Sequence, residues 1–152
     1  MLYGIKRLLL GVWRGWFYLL AALPVLYLFP FLVVALLLPN GYRAVFWMAR
    51  NIWAPWVLLG MGFWPVVKHH PLADPRHAYL LIANHSSYID PFLMLRAWKK
   101  PFVFVGKKEL VAIPLFGYLY KRAAIMVDRS SSKSRFGVYD RASQQINQGY
   151  SV

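Results

Sequence analysis

The sequence of 152 residues predicts an α/β domain preceded by a membrane-associated pair of helices. Three observations lead to this prediction. The N-terminal part contains a long uncharged stretch, the second half alternates short apolar runs with helical patterns, and basic residues far outnumber acidic ones. We therefore expect a helical hairpin over residues 1–67 and an α/β domain over residues 68–152.

The composition favours a lipid surface as the partner. Hydrophobic residues make up 59% of the chain and charged residues 15%, whereas soluble domains are less apolar and more charged. The formal charge of +13 would attract anionic lipid or nucleic acid. Long apolar runs beside tryptophan favour lipid, so no nucleic-acid partner is expected. The absence of cysteine excludes disulfides and thiolate nucleophiles.

The first apolar segment runs from Gly15 to Tyr42 without a charged residue. A helix of about 20 apolar residues is enough to cross a bilayer. The run ends in leucines followed by Pro39 rather than in the small residues of a cleavage site, which predicts a retained anchor. Pro24 and Pro30 interrupt the run, so both a straight span and a bent, re-entrant helix are compatible with it.

The second segment, from Tyr42 to Val67, is marginal for a span because only its last 17 residues, after Arg50, are uncharged. It carries three tryptophans, Trp53, Trp56 and Trp64. Tryptophan prefers the headgroup level, which favours a helix that lies in or dips into the interface. The two segments would then form a hairpin with both basic flanks on the cytoplasmic side, in agreement with the positive-inside rule.

The second half of the chain predicts strands alternating with helices. The expected strands are Ala78–Ala83, Pro101–Val105 and Ala123–Val127, and the expected helices are Phe92–Trp98, Val111–Tyr120 and Arg135–Gln148. Two loops are expected, at His69–His77 and Ser130–Ser134. The histidines of the first loop, His69, His70 and His77, lack further ligands at useful spacing, so no metal site is predicted.

The stretch from Asn84 to Pro91 follows a predicted strand and precedes a predicted helix, where α/β folds place their sites. Five residues separate His85 from Asp90, a spacing that does not stack two side chains on one helical face. With Pro91 as the first helical residue and Asp90 as the cap, a turn at residues 86–89 would return the carboxylate toward the imidazole. Histidine could then take a proton from a hydroxyl while Asp90 orients it. The alternative is that Asp90 only caps the helix and His85 is an ordinary loop histidine, because such a pair would show the same spacing.

Three blocks of the sequence resemble the 1-acylglycerol-3-phosphate acyltransferase family. Asn84, His85 and Asp90 match its Asn-His-x4-Asp motif. Phe104–Leu110 with Ile113–Gly117 is similar to the second block, and Ala124–Arg129 to the third. The resemblance extends from about residue 64 to the C-terminus. It implies a glycerolphosphate-acyltransferase-like sheet flanked by helices.

The resemblance also implies roles for the site residues. His85 would deprotonate the acceptor hydroxyl, Asp90 would orient His85, and Asn84 would contribute to substrate binding. Lys107 would lie near the developing oxyanion, with a solvated lysine after a strand as the alternative. Arg129 would bind the acceptor phosphate, with a surface arginine paired to Asp128 as the alternative.

The implied reaction transfers a fatty acyl group to the sn-2 hydroxyl of 1-acylglycerol 3-phosphate. The donor would be a thioester of coenzyme A or acyl carrier protein, with no metal or cofactor. The reaction would take place among membrane lipids at the cytoplasmic face, which in a bacterium is that of the inner or plasma membrane. Another lysolipid or glycerol 3-phosphate as acceptor, and a catalytically silent protein that binds anionic lipid, are the alternatives.

One block of the family pattern, a Pro-Glu-Gly-Thr-Arg segment, does not occur before the sequence stops. The last residues, Ile146–Val152, read as a helix end and the start of the strand that would lead to it. The sequence thus predicts a truncated chain that holds the N-terminal part of the catalytic domain.

Overall fold

The computed structural model describes residues 2–68, 74, 76–84 and 86–152. It contains six α-helices and a two-stranded parallel sheet within these residues, joined by short π- and 3₁₀-helical turns. In chain order, the helices are α1 (Leu2–Leu37), α2 (Gly41–Met48), α3 (Ala54–Gly60), α4 (Asp90–Ala97), α5 (Phe116–Ala123) and α6 (Ser132–Asn147). The strands are β1 (Phe104–Lys107) and β2 (Ala124–Val127).

Helix α1 is one unbroken helix of 36 residues that continues through Pro24 and Pro30. At 1.5 Å per residue it is about 54 Å long, well beyond the roughly 30 Å of a bilayer core. By length and composition it could cross a membrane. Most of its side chains are exposed rather than packed against the protein, and every one from Tyr3 to Trp16 is exposed. Water is a poor solvent for such a surface.

The second arm of the hairpin is also helical throughout, because a π-helical turn (Ala49–Trp53) joins α2 to α3. This arm runs antiparallel to α1. The indole N–H of Trp16 donates to the Gly60 carbonyl (2.9 Å), and the indole N–H of Trp53 donates to the Ala21 carbonyl (2.9 Å). Trp16 thus lies beside the end of α3, and about four turns of α1 precede this contact.

The core of the molecule is shared between the hairpin and the α/β part. Its largest cluster contains Leu20, Phe46, Ala54, Val57, Leu58, Met61, Phe92, Leu95 and Phe102. The first six come from the hairpin and the last three from the region after residue 68. Aromatic contacts add to this packing, since Phe46 and Phe102 meet edge to face with their centroids 5.3 Å apart.

The sheet is built on a β1–α5–β2 crossover. Phe104 pairs with Ala124 and Lys107 with Val127 in parallel register. Beyond β1, Phe102 forms a parallel bridge with Ser151, and the Val103 N–H donates to the Ser151 carbonyl (2.8 Å). Helix α6 packs on β2 through a cluster that includes Val103, Ile125 and Val152.

The predicted strand Ala78–Ala83 does not form as a strand. The segment is extended and bonds to Val152, whose N–H donates to Tyr79 O (2.9 Å) and whose carbonyl accepts from Leu81 N (2.7 Å). This pattern is that of a parallel pair. The Tyr79 N–H also donates to the Ser151 hydroxyl (3.1 Å).

Two other predictions are corrected. The expected helix Val111–Tyr120 is divided into a 3₁₀ turn (Lys108–Ala112) and α5, because Pro114 lacks a backbone donor and Leu115 adopts a φ of +60°. The expected loop Ser130–Ser134 ends at Ser131, whose hydroxyl accepts from Ser134 N (3.2 Å) and starts α6 as its N-cap.

Candidate active site

The turn between the extended segment and α4 folds the Asp90 side chain back on itself. Asp90 N donates to Ser87 O (3.3 Å), and the Asp90 side chain folds back over the turn. Its Oδ2 accepts from the backbone N–H groups of Ser86 (2.7 Å) and Ser87 (2.6 Å). The carboxylate is half-buried and directed toward the start of the turn, away from the helix that it begins.

The start of α4 differs by one residue from the prediction. Asp90 is the first helical residue rather than the cap, and Ile89 occupies the cap position with helical backbone angles. The Ile89 carbonyl accepts from both Phe92 N and Leu93 N, which brings Asp90 into the first turn. Pro91 stands within that first turn, where its missing N–H costs no helical bond.

His85 lies outside the described residues, so its predicted contact with Asp90 stays a prediction. Asn84, on the N-terminal side of His85, is exposed at the end of the extended segment. The histidines His69 and His70 also lie outside the described residues. His77 has Nδ1 3.5 Å from Asp74 Oδ2, beside the ion pair of Asp74 with Arg76.

Lys107 and Arg129 lie at the same edge of the sheet. Lys107 is the last residue of β1 and pairs with Val127, the last residue of β2, and Arg129 follows two residues later. Both side chains are exposed. Asn84 ends a segment that runs parallel to these strands, so it reaches the same edge. Residues 151–152 lie between that segment and β1. The segment and β1 are therefore about 10 Å apart, which is two strand spacings.

Asp128 is held by neighbours other than Arg129. The Ser130 hydroxyl and the Ser130 N–H both donate to Asp128 Oδ1, and Lys108 Nζ lies 3.9 Å from Oδ2. These serine bonds, with a smaller contribution from Lys108, lower the pKa of the Asp128 carboxyl. Asp128 thus orders the turn before Ser130 and leaves the Arg129 side chain exposed.

The glycine of the second block has a packing reason. A Cβ on Gly106 would overlap the hydroxyl of Tyr120, which lies over β1 from helix α5. Tyr120 stacks on Phe116 with ring centroids 5.4 Å apart. Burial, and to a smaller degree Glu109, raises the pKa of the Tyr120 hydroxyl. Gly106 therefore lets α5 approach the strand that carries Lys107.

Sequence reasoning missed the contacts that support the turn from the hairpin side. The Arg50 side chain donates to Trp98 O (3.1 Å) at the end of α4, and the Trp53 ring meets Phe92 with centroids 4.9 Å apart. The spacing of these residues in the sequence gives no sign of either contact. Only Pro55, which disturbs the helix next to them, could have indicated unusual geometry.

A folded-back aspartate and two exposed basic side chains thus lie at this end of the sheet, and the sequence comparisons identify the family of the chain. The acyltransferase family model matches residues 66–152, so the chain belongs to the acyltransferase family. It is 30% identical over 89 residues to a Mycoplasma pneumoniae protein named probable 1-acyl-sn-glycerol-3-phosphate acyltransferase. A Mycoplasma genitalium protein of the same name is 28% identical over 83 residues.

These matches are partial. They cover 55% and 51% of this chain but 34% and 31% of the two relatives, so the chain spans about a third of the length of the curated relatives it matches. No solved structure matches the chain significantly.

Proposed function

We propose that the protein containing this chain transfers a fatty acyl group from a thioester to the sn-2 hydroxyl of 1-acylglycerol 3-phosphate, forming phosphatidic acid. The observation that carries the proposal is the common sheet edge. Asn84, Lys107 and Arg129 lie at or just beyond the carboxyl ends of parallel segments, and the Asp90 turn continues from the same edge. In open parallel sheets this edge is where ligands bind.

In the proposed mechanism His85 takes the proton of the acceptor hydroxyl while that oxygen attacks the thioester carbonyl carbon. Asp90 orients the imidazole and stabilises its protonated form, as the aspartate of a serine-protease triad does. Collapse of the tetrahedral intermediate breaks the carbon–sulfur bond, and the departing thiolate takes the proton back from His85. A positioned base of this kind accelerates reactions by roughly 10² to 10⁴.

Lys107 and Arg129 supply positive charge in this proposal. The Lys107 ammonium would stabilise the oxyanion that forms on the thioester carbonyl. The Arg129 guanidinium would bind the acceptor phosphate through two parallel hydrogen bonds. Its exposure, and the binding of Asp128 by Ser130, support this assignment because the guanidinium is accessible to a ligand.

We place the reaction at the cytoplasmic face of a membrane, with residues 1–67 as the membrane-associated hairpin and residues 68–152 as the N-terminal part of the catalytic domain. The exposed apolar surface of α1 supports membrane association. The antiparallel pairing of the two arms supports a hairpin whose basic flanks lie on one side, because it brings Trp16 beside Gly60.

Washed membranes from cells that express the intact reading frame provide the test. We expect the protein and the acyltransferase activity to stay together in the membrane pellet. With a radiolabelled acyl thioester, the labelled product should be phosphatidic acid when 1-acylglycerol 3-phosphate is supplied. The rate should fall at least tenfold with glycerol 3-phosphate, which has no acyl chain, and with lysophosphatidylethanolamine, whose phosphate is a diester without the second negative charge. Faster acylation of either alternative acceptor would reject the assigned substrate.

A further inference from the structure

The π-helical turn in the second arm of the hairpin leaves one backbone carbonyl, that of Arg50, without a main-chain donor. The Ala54 N–H bonds to the Ala49 carbonyl, five residues earlier. In this register the N–H of residue 55 would bond to the Arg50 carbonyl, but residue 55 is Pro and has no N–H. The Arg50 carbonyl therefore lacks a main-chain donor. Single π-turns inside α-helices are frequent at functional sites, which makes the partner of this carbonyl informative.

That partner comes from helix α4. Arg96 Nη1 donates to the Arg50 carbonyl (3.2 Å). In return, Arg50 Nε donates to Trp98 O (3.1 Å), and Arg50 Nη2 lies 3.5 Å from Arg96 O. Each arginine thus satisfies a carbonyl on the other element. Arg50 also places positive charge at the C-terminal end of α4, where the helix dipole is negative.

The same turn contacts the other end of α4 through Trp53. Its ring meets Phe92 edge to face at 4.9 Å, two residues after Asp90. Its indole N–H is bonded to the Ala21 carbonyl of α1, which fixes the orientation of the ring. A further contact joins α1 to the start of α4, since the rings of Phe17 and Phe92 meet edge to face with their centroids 6.1 Å apart.

We propose that Arg50 and Trp53 are positioning residues that hold α4 at both ends and thereby set the location of Asp90 at the sheet edge. The inference deepens the proposed function and rests on it. Asp90 is bonded to the two N–H groups of its own turn, and α4 has only eight residues. Its placement therefore depends on where α4 is held. In enzymes a displacement of about 1 Å can cost 10²-fold in rate.

The proposal gives the hairpin a role besides attachment to the membrane. The π-turn contacts α4, which begins at Asp90, and α1, so the membrane segment and the Asp90 helix are packed together. A different membrane anchor attached in place of residues 1–67 would not restore this arrangement.

The test compares substitutions at Trp53 in the intact protein. Trp53→Leu removes both the ring contact and the indole bond, and we expect kcat to fall by about 10- to 100-fold with KM for both substrates changed less than twofold. Trp53→Phe keeps an aromatic ring against Phe92 and should recover most of the loss. Trp56→Phe, on an exposed tryptophan of the same arm, is the matched control and should keep kcat within twofold.

A double-mutant cycle separates positioning from general destabilisation. If Trp53 acts through Asp90, Trp53→Leu should lower kcat less than twofold when Asp90 is already Asn. An equal loss in both backgrounds, or an unchanged kcat in Trp53→Leu, would overturn the proposal. Arg50→Gln should behave as Trp53→Leu does, with Arg43→Lys on an exposed arginine as its control.

Hydrogen exchange keeps this test independent of the reaction. The Ser86 and Ser87 amides are protected by the Asp90 carboxylate, so their exchange should accelerate at least tenfold in Trp53→Leu and stay unchanged in Trp56→Phe. If the wild type transfers no acyl group but exchange accelerates in Trp53→Leu, the proposed function fails and the positioning role stands. Unchanged exchange in Trp53→Leu would refute the positioning role.

Discussion

Replacement of Asp90 by Asn is expected to lower kcat by roughly 10² to 10⁴ while leaving the turn intact. Asparagine keeps a side-chain oxygen that can accept from Ser86 N and Ser87 N, which now bond to the carboxylate at 2.7 and 2.6 Å. It lacks the negative charge that would stabilise a protonated His85. Catalysis should therefore suffer far more than folding.

Asp90→Ala is the companion variant because it removes the charge and the acceptor together. We expect kcat to fall as far as in Asp90→Asn, with a further loss of about 1 kcal/mol in the free energy of unfolding from the two unbonded amides. Steady-state kinetics and chemical unfolding in detergent micelles measure the two effects. Wild-type rates in Asp90→Asn would show that the carboxylate serves the turn alone.

Gly41→Ala is expected to destabilise the protein by about 3 kcal/mol. Gly41 is buried directly after the turn between the two arms, and a Cβ there would overlap the carbonyl oxygen of Ala35. Because the obstacle is backbone, side-chain rotation cannot relieve the overlap, and α1 and α2 would have to separate. Their separation would weaken the contacts of Val45 with the end of α1.

Gly137→Ala provides the matched control. Gly137 lies inside α6, and a Cβ there meets nothing within 4 Å. Alanine should stabilise this helix by about 0.5–1 kcal/mol relative to glycine. Unfolding of both variants under the same detergent conditions measures the difference. Equal stability of Gly41→Ala and the wild type would contradict the packing of the two arms.

The sequence predicted the elements whose signals are local. The start of α4 was predicted from Asp90 and Pro91, and the helix begins at Asp90, one residue from the predicted position. Strand β2 was expected at Ala123–Val127 and lies at Ala124–Val127. Apolar runs bounded by turn residues mark such strands in the sequence.

Elements that depend on distant partners could not be predicted in the same way. The extended segment before Asn84 bonds to Ser151 and Val152, some 70 residues later in the chain, and no local signal in the sequence indicates this pairing. The reciprocal bonds of Arg50 and Arg96 depend on the carbonyl left free by Pro55, and sequence spacing carries no sign of them. Roles for Lys107 and Arg129 came from family resemblance, while the structure added their common edge.

The central claim is that His85 is the base of an acyl transfer to a lysophospholipid hydroxyl. The most direct measurement compares the wild-type protein with His85→Ala in washed membranes, using a radiolabelled acyl thioester and 1-acylglycerol 3-phosphate. We expect labelled phosphatidic acid from the wild type and a rate roughly 10²- to 10⁴-fold lower from His85→Ala at equal protein levels. Equal rates of phosphatidic acid formation in the two membranes would contradict it.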